Sequence, residues 1–217
     1  MTARLERLIG PRVAPNLFAE RRLEFLLPTL ALGLAGLLLV ASIFLPYWKM
    51  TLLAPQYPDG LRVQAYLDHL TGDVREIDGL NHYIGMRPLG EAAELERSMS
   101  IVAVAVIALL AAAAIFIHNK YAGLLALPAL TFPLMFLGDL YFWLRHFGTH
   151  LDPHAPLSAA IKPFVPPVLG RGTVGQFATV ALPDVGLWLA IAATLLVLAG
   201  LALHRRAYKP LVEAQER

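Results

Sequence analysis

An all-α integral membrane protein with four transmembrane helices, carrying a small outer cap of a β-hairpin plus a short helix formed by two loops, is the fold class this sequence predicts. Three observations lead there. Of 217 residues, 57% are hydrophobic and 16% charged, with a mean hydropathy of +0.59, a balance too apolar for the surface of a soluble domain. Four apolar runs are each long enough to cross about 30 Å of hydrocarbon. Lys and Arg gather toward the two chain ends, the pattern of segments held on the cytoplasmic side.

Residues 1–24 read as a cytoplasmic tail with Arg4, Arg7, Arg12, Arg21 and Arg22. The first span, 25–45, holds no charge and ends at the interfacial pair Tyr47 and Trp48. It is longer than a signal-peptide core and no small-residue cleavage site follows it, so it reads as a retained helix. Residues 46–98 form an outer loop with eight acidic residues against five Lys and Arg, which favours export. Spans 99–117 and 121–144 are separated only by His118, Asn119 and Lys120, so they form a tight antiparallel hairpin with a cytoplasmic turn. A second outer loop, 145–184, precedes the last span, 185–203, and a basic tail, 204–217, containing Arg205, Arg206, Lys209 and Arg217. Both termini are therefore expected on the cytoplasmic side.

Within the first loop, Leu61, Val63, Ala65 and Leu67 alternate with polar residues, and Thr71-Gly72-Asp73 interrupts the run before Val74–Ile77, a hairpin pattern. Pro88 precedes a Glu-rich stretch expected to run as a helix into the second span. The second loop carries six prolines and the glycines 148, 170, 172 and 175. Such a segment lacks regular ladders and is expected to fold by lying across the first loop.

Composition removes several chemistries. The absence of cysteine excludes disulfides, thiolate nucleophiles and cysteine-ligated iron–sulfur clusters. A net charge of +2 with scattered cations gives no nucleic-acid footprint. The remaining candidates are histidine, methionine and carboxylate. His82 and Met86 stand four residues apart, a soft-metal set suited to copper, set against the plainer reading that Met86 fills a gap in packing. His146, His150 and His154 recur every four residues and would share a helix face, although Pro153 should end that helix near Asp152. Asp139 lies inside the third span, where a carboxylate is expensive and by default a functional candidate; the plainer reading is a hydrogen bond or ion pair to Arg145 or to the proline-rich loop. No charge lies at the middle of a span, which argues against a pump or transporter. An enzyme built on Asp139 and His146 is the weakest alternative, because such sites bring more partners.

The strings APQYPDGL (54–61), GLNHYIGM (79–86), GTHLDP (148–153) and the Pro166-Pro167 pair followed by Gly170 resemble a family of small four-span membrane proteins. Its members are encoded beside atypical, Sec-exported nitrous oxide reductases, near copper chaperones and c-type cytochromes. The resemblance implies a non-enzymatic, periplasm-facing accessory of copper-dependent respiration, serving maturation, copper supply or electron delivery. It implies His82, Met86 and His150 as copper-contacting residues, with Asp152 as a further functional position; His146 and His154 fall outside its pattern. The implied partners are the lipid bilayer and other membrane or periplasmic redox proteins. The alternative is a structural subunit of a larger membrane redox or photosynthetic complex with no ligand of its own.

Overall fold

The computed structural model describes residues 9–10, 13–174 and 177–215; Arg4, Arg7, Arg12, Gly175 and Arg217 lie outside them. Its elements are α1 (Pro15–Glu20), α2 (Arg22–Ser42), β1 (Trp48–Ala54), β2 (Tyr57–Ala65), β3 (Leu70–Gly72), α3 (Val74–Ile84), α4 (Glu94–Ala113), α5 (Tyr121–Thr149), β4 (Gly170–Val174), β5 (Phe177–Pro183) and α6 (Val185–Gln215). Four helices are long and apolar enough to cross a membrane, namely α2, α4 with its 3-10 extension to Phe116, α5 and α6. The chain has the build of a multi-pass helical membrane protein. It divides into two compact units, one of residues 1–41, 102–133 and 189–217 and the other of residues 42–101 and 134–188.

The regular elements of the first unit are all helices among its described residues, and its interior, although it holds Leu32, Leu39, Val104 and Val197, is rich in alanine. Small side chains lie inside: Ala35, Ala108, Ala111, Ala126, Ala190 and Ala193 are all buried. Other large ones, such as Leu37, Leu109, Leu124 and Leu195, are exposed on the surface that lipid would cover. Lipid is as apolar as leucine, so helices gain by bringing backbones close rather than by hiding large side chains. At Gly36 a Cβ would stand 3.3 Å from the carbonyl of Ala108, so α2 and α4 approach there at a separation set by the missing side chain. Described residues of both tails join this unit. Val13, Leu17 and Leu211 pack on Phe25, Ala207 and Tyr208, so the N-terminal segment and the end of α6 are folded structure as well as charge carriers.

The second unit is built on an antiparallel sheet, order β3-β2-β1-β5-β4, so the single hairpin expected for the outer cap is part of a five-stranded sheet to which both loops contribute. Strand β1 alternates buried and exposed residues, the period of a strand with one face on a core. Met50 pairs with Val63 on one side and Ala181 on the other. Trp48, Met50, Leu52, Leu61, Val63 and Ala181 form the inner face, with Ile77 of α3 and Leu144 of α5 packed on it. The second loop thus contributes a ladder-forming hairpin, β4–β5, where proline content predicted none; all but the last of its prolines precede Gly170.

Two other expectations change. Val74–Ile77 opens a helix rather than a second strand, because the stretch places Ile77, Asn81 and Ile84 on one buried face at helical spacing. The helix expected from Pro88 starts instead at Glu94. A single 3-10 turn at Leu89–Glu91 comes first, and Ala93, at φ 52°, breaks the backbone between them.

Candidate functional site

The candidate residues from both loops fall within the second unit, around the C-terminus of α3. That helix stops at Gly85, which takes a left-handed conformation with φ +81°. The Met86 N–H donates to the Asn81 carbonyl at 2.9 Å and the Gly85 N–H to the His82 carbonyl at 3.4 Å. Those are the paired bonds of a Schellman stop, in which the residue after glycine turns an apolar side chain inward. Met86 does so, packing with Ile84 and Phe147 in a buried cluster edged by Leu89, Trp143, Leu151 and Phe164. The imidazole of His82 is exposed and meets the Tyr83 ring edge-on at 6.1 Å. The two residues therefore have opposite surroundings, and their four-residue spacing is accounted for by the helix stop.

Proline-rich loop and helix end meet through backbone. Asp152 N–H donates to the Gly85 carbonyl at 2.8 Å, and Leu157 N–H to the Tyr83 carbonyl at 2.9 Å, supplying donors to carbonyls that a helix C-terminus leaves unpartnered. A Cβ on residue 85 would lie 2.6 Å from the Asp152 carbonyl oxygen. Glycine is thus required there twice, for its φ and for the closeness of the loop.

Asp152 points its carboxylate along the loop, accepting from the His154 N–H at 2.8 Å and lying 3.2 Å from His154 Nδ1. The backbone N–H of His154 is the main reason the Asp152 carboxyl is held below the ordinary carboxylate range, with the His154 side chain and the charge of His82 acting in the same direction. His82, Asp152 and His154 are all exposed.

The three-histidine series divides. His146 and His150 share a face, rings 4.3 Å apart, with His150 Nδ1 3.0 Å from the His146 carbonyl and 3.1 Å from Thr149 Oγ1. Helix α5 ends at Thr149, so His154 leaves the line and joins Asp152. Among the described residues, no three His, Asp or Glu side chains are grouped so as to hold a metal ion. Asp139 is half-buried in α5. Among the described residues it forms no ion pair with Arg145, and Glu96 is the charge that acts on it.

Sequence reasoning passed over two polar anchors of the sheet. Tyr47, fully buried, is hydrogen-bonded to Ser42 Oγ at 2.7 Å, and burial pushes its phenol up to about 12. Asp184, also buried, accepts from Gln64 Nε2 at 3.2 Å, lies 3.5 Å from Lys49 Nζ and takes the Val185 N–H at the start of α6. Aromatic residues near span ends signalled Tyr47 only as an interfacial ring; no spacing pointed to Asp184, whose partners on β1 and β2 are distant in sequence. No protein family, curated protein or solved structure matches this chain.

Proposed function

We propose that this chain is a non-enzymatic accessory protein of copper-dependent respiration. In this reading it lies in the bacterial inner membrane with both termini cytoplasmic and its two large loops periplasmic, and serves nitrous oxide reductase maturation, copper supply or electron delivery. The observation that carries the reading is the bond from Asp152 to Gly85, which joins two of the segments bearing the family resemblance into one surface. That surface exposes His82, His150 and Asp152. Met86, enclosed by apolar neighbours, has a packing role, so contact with copper falls to the exposed imidazoles. Open imidazoles suit brief contact with an ion or a metalloprotein partner more than enclosed storage.

Titration of the purified full chain with Cu(I) against a chromogenic chelator tests this. Weak binding that His82→Ala combined with His150→Ala removes, and Met86→Ala leaves in place while the protein is folded, is the expected result. Absence of binding, or binding indifferent to both histidines, ends the copper reading.

One observation favours the alternative of a structural subunit in a larger membrane redox or photosynthetic complex. Tyr83 and Leu157, joined backbone to backbone, are 54% and 47% exposed beside the same junction, and exposed apolar side chains at a rigid junction are what a docked subunit covers. Co-purification in fixed stoichiometry that Tyr83→Asp abolishes and His82→Ala does not would select it.

A further inference from the structure

The first unit contains a cavity of about 480 Å³ that the copper reading does not use. Its walls come from the turn between α4 and α5 and from one face of α6. On that face Leu201, His204, Arg205, Tyr208, Lys209 and Val212 recur at three- and four-residue intervals and all line the space.

The structure fixes this wall firmly. His118 Nδ1 lies 3.1 Å from His204 Nε2, and the His118 ring stacks on Tyr208 at 3.9 Å between centroids, 3° from parallel. His204 and Tyr208 are 5% and 8% exposed. The His118 N–H donates to the Ile9 carbonyl at 2.6 Å, and Asn119 Oδ1 accepts from the Tyr121 N–H at 2.9 Å. Lys120 is thereby presented on a turn held at both ends.

Charge in the lining has one sign. Among the described residues Lys120, Arg205 and Lys209 line the cavity and no carboxylate does; Lys209 is engaged 3.4 Å from Glu213, and among the same residues Lys120 and Arg205 have no ion-pair partner. Apolar Ala122, Leu201 and Val212 complete the wall. The cavity lies where the apolar run of α6 gives way to His204-Arg205-Arg206 and where the α4–α5 hairpin turns, the depth at which a span meets headgroups. Basic recesses between spans at that depth select phosphate-bearing headgroups. The volume far exceeds one phosphate ion and falls in the range of sites that enclose a small organic ligand.

We propose that this cavity binds the phosphate headgroup of an anionic phospholipid, with Lys120 and Arg205 holding the phosphate and the aromatic-histidine wall shaping the site. Soluble phosphate shares the chemistry, and the test separates the two sources.

The full-length protein in detergent is examined by native mass spectrometry after exchange with phosphatidylglycerol or phosphatidylcholine of identical acyl chains. Wild type is expected to retain phosphatidylglycerol preferentially. Lys120→Gln combined with Arg205→Gln should lower that retention about tenfold or more, while Arg206→Gln, next in sequence but outside the lining, retains it. Equal retention of the two lipids, or undiminished phosphatidylglycerol binding by the double variant, overturns the proposal. Melting of wild type in millimolar inorganic phosphate is the second arm. A rise equal to that given by phosphatidylglycerol and absent in the double variant reassigns the site to a soluble anion and overturns the lipid assignment.

Discussion

Thr194 Oγ1 donates to the carbonyl of Ala129 at 3.0 Å, and Ala129 is the residue whose helical partner would have been the N–H of residue 133, a proline. Proline has no N–H, so Pro133 leaves that carbonyl without its bond inside α5. A membrane interior offers no water to replace it. The hydroxyl of α6 fills the place, and also bonds back to Ala190 at 3.0 Å. Thr194→Val keeps the shape and removes the donor; destabilisation of about 1 kcal/mol is expected, with Thr194→Ser close to wild type. Reversible denaturation in mixed micelles measures both, and a neutral Thr194→Val result would count against the pairing.

Gly85→Ala must place a side chain at φ +81° and against the Asp152 backbone at 2.6 Å. The strain costs about 2 kcal/mol or more, and the crowding adds to it. Gly85→Asn should recover part of the conformational loss but none of the crowding, so it falls between alanine and wild type in melting temperature. Equal melting of all three proteins would show that the loop does not lie against the helix end.

Met86 and His82 should respond in opposite ways to truncation. Met86→Ala empties space in a buried apolar cluster, a change costing about 2–5 kcal/mol. His82→Ala alters an exposed ring and should stay within about 0.5 kcal/mol. Thermal melts of the metal-free variants decide it: if His82→Ala proves the more damaging, the packing role assigned to Met86 is wrong.

The contact between Asp152 and His154 should depend on pH in a definite direction. The Asp152 carboxyl is held below its ordinary value chiefly by the His154 N–H. For a depressed carboxyl, the stabilisation is fully present above the ordinary value, about pH 4, and fades as pH falls through the lower folded value. Amide exchange or chemical shift of His154, followed from pH 6 downward, should report its loss only below about pH 4. Asp152→Asn should flatten the profile, and a transition well above that pH would mean that His154 does not hold the carboxylate.

Local spacing carried only part of the geometry: the i and i+4 face of α5 was legible, the helix opening at Val74 was not, and the approach of the second loop to the first was expected without its strand pairing. His146 and His150 were expected on one face and share it, because i and i+4 neighbours are fixed by the helix alone. The pairing of Met50 with Ala181 left no mark in either loop, since the expected hairpin lay within 61–77 and did not include β1. His118 and His204 are 86 residues apart, and neither belongs to a local pattern. GLNHYIGM was legible as a distinctive string, yet its chemistry was read from side chains while its geometry turned on the glycine.

By itself the sequence determined that four helices are long and apolar enough to cross a membrane, because that property resides in each continuous run of residues and needs no partner. Tertiary structure alone decided that the two loops share a five-stranded sheet, that Met86 faces inward and that two distant histidines meet. Each of these depends on which backbone or ring arrives from far along the chain, and pairing energy between distant segments is invisible until both are in place.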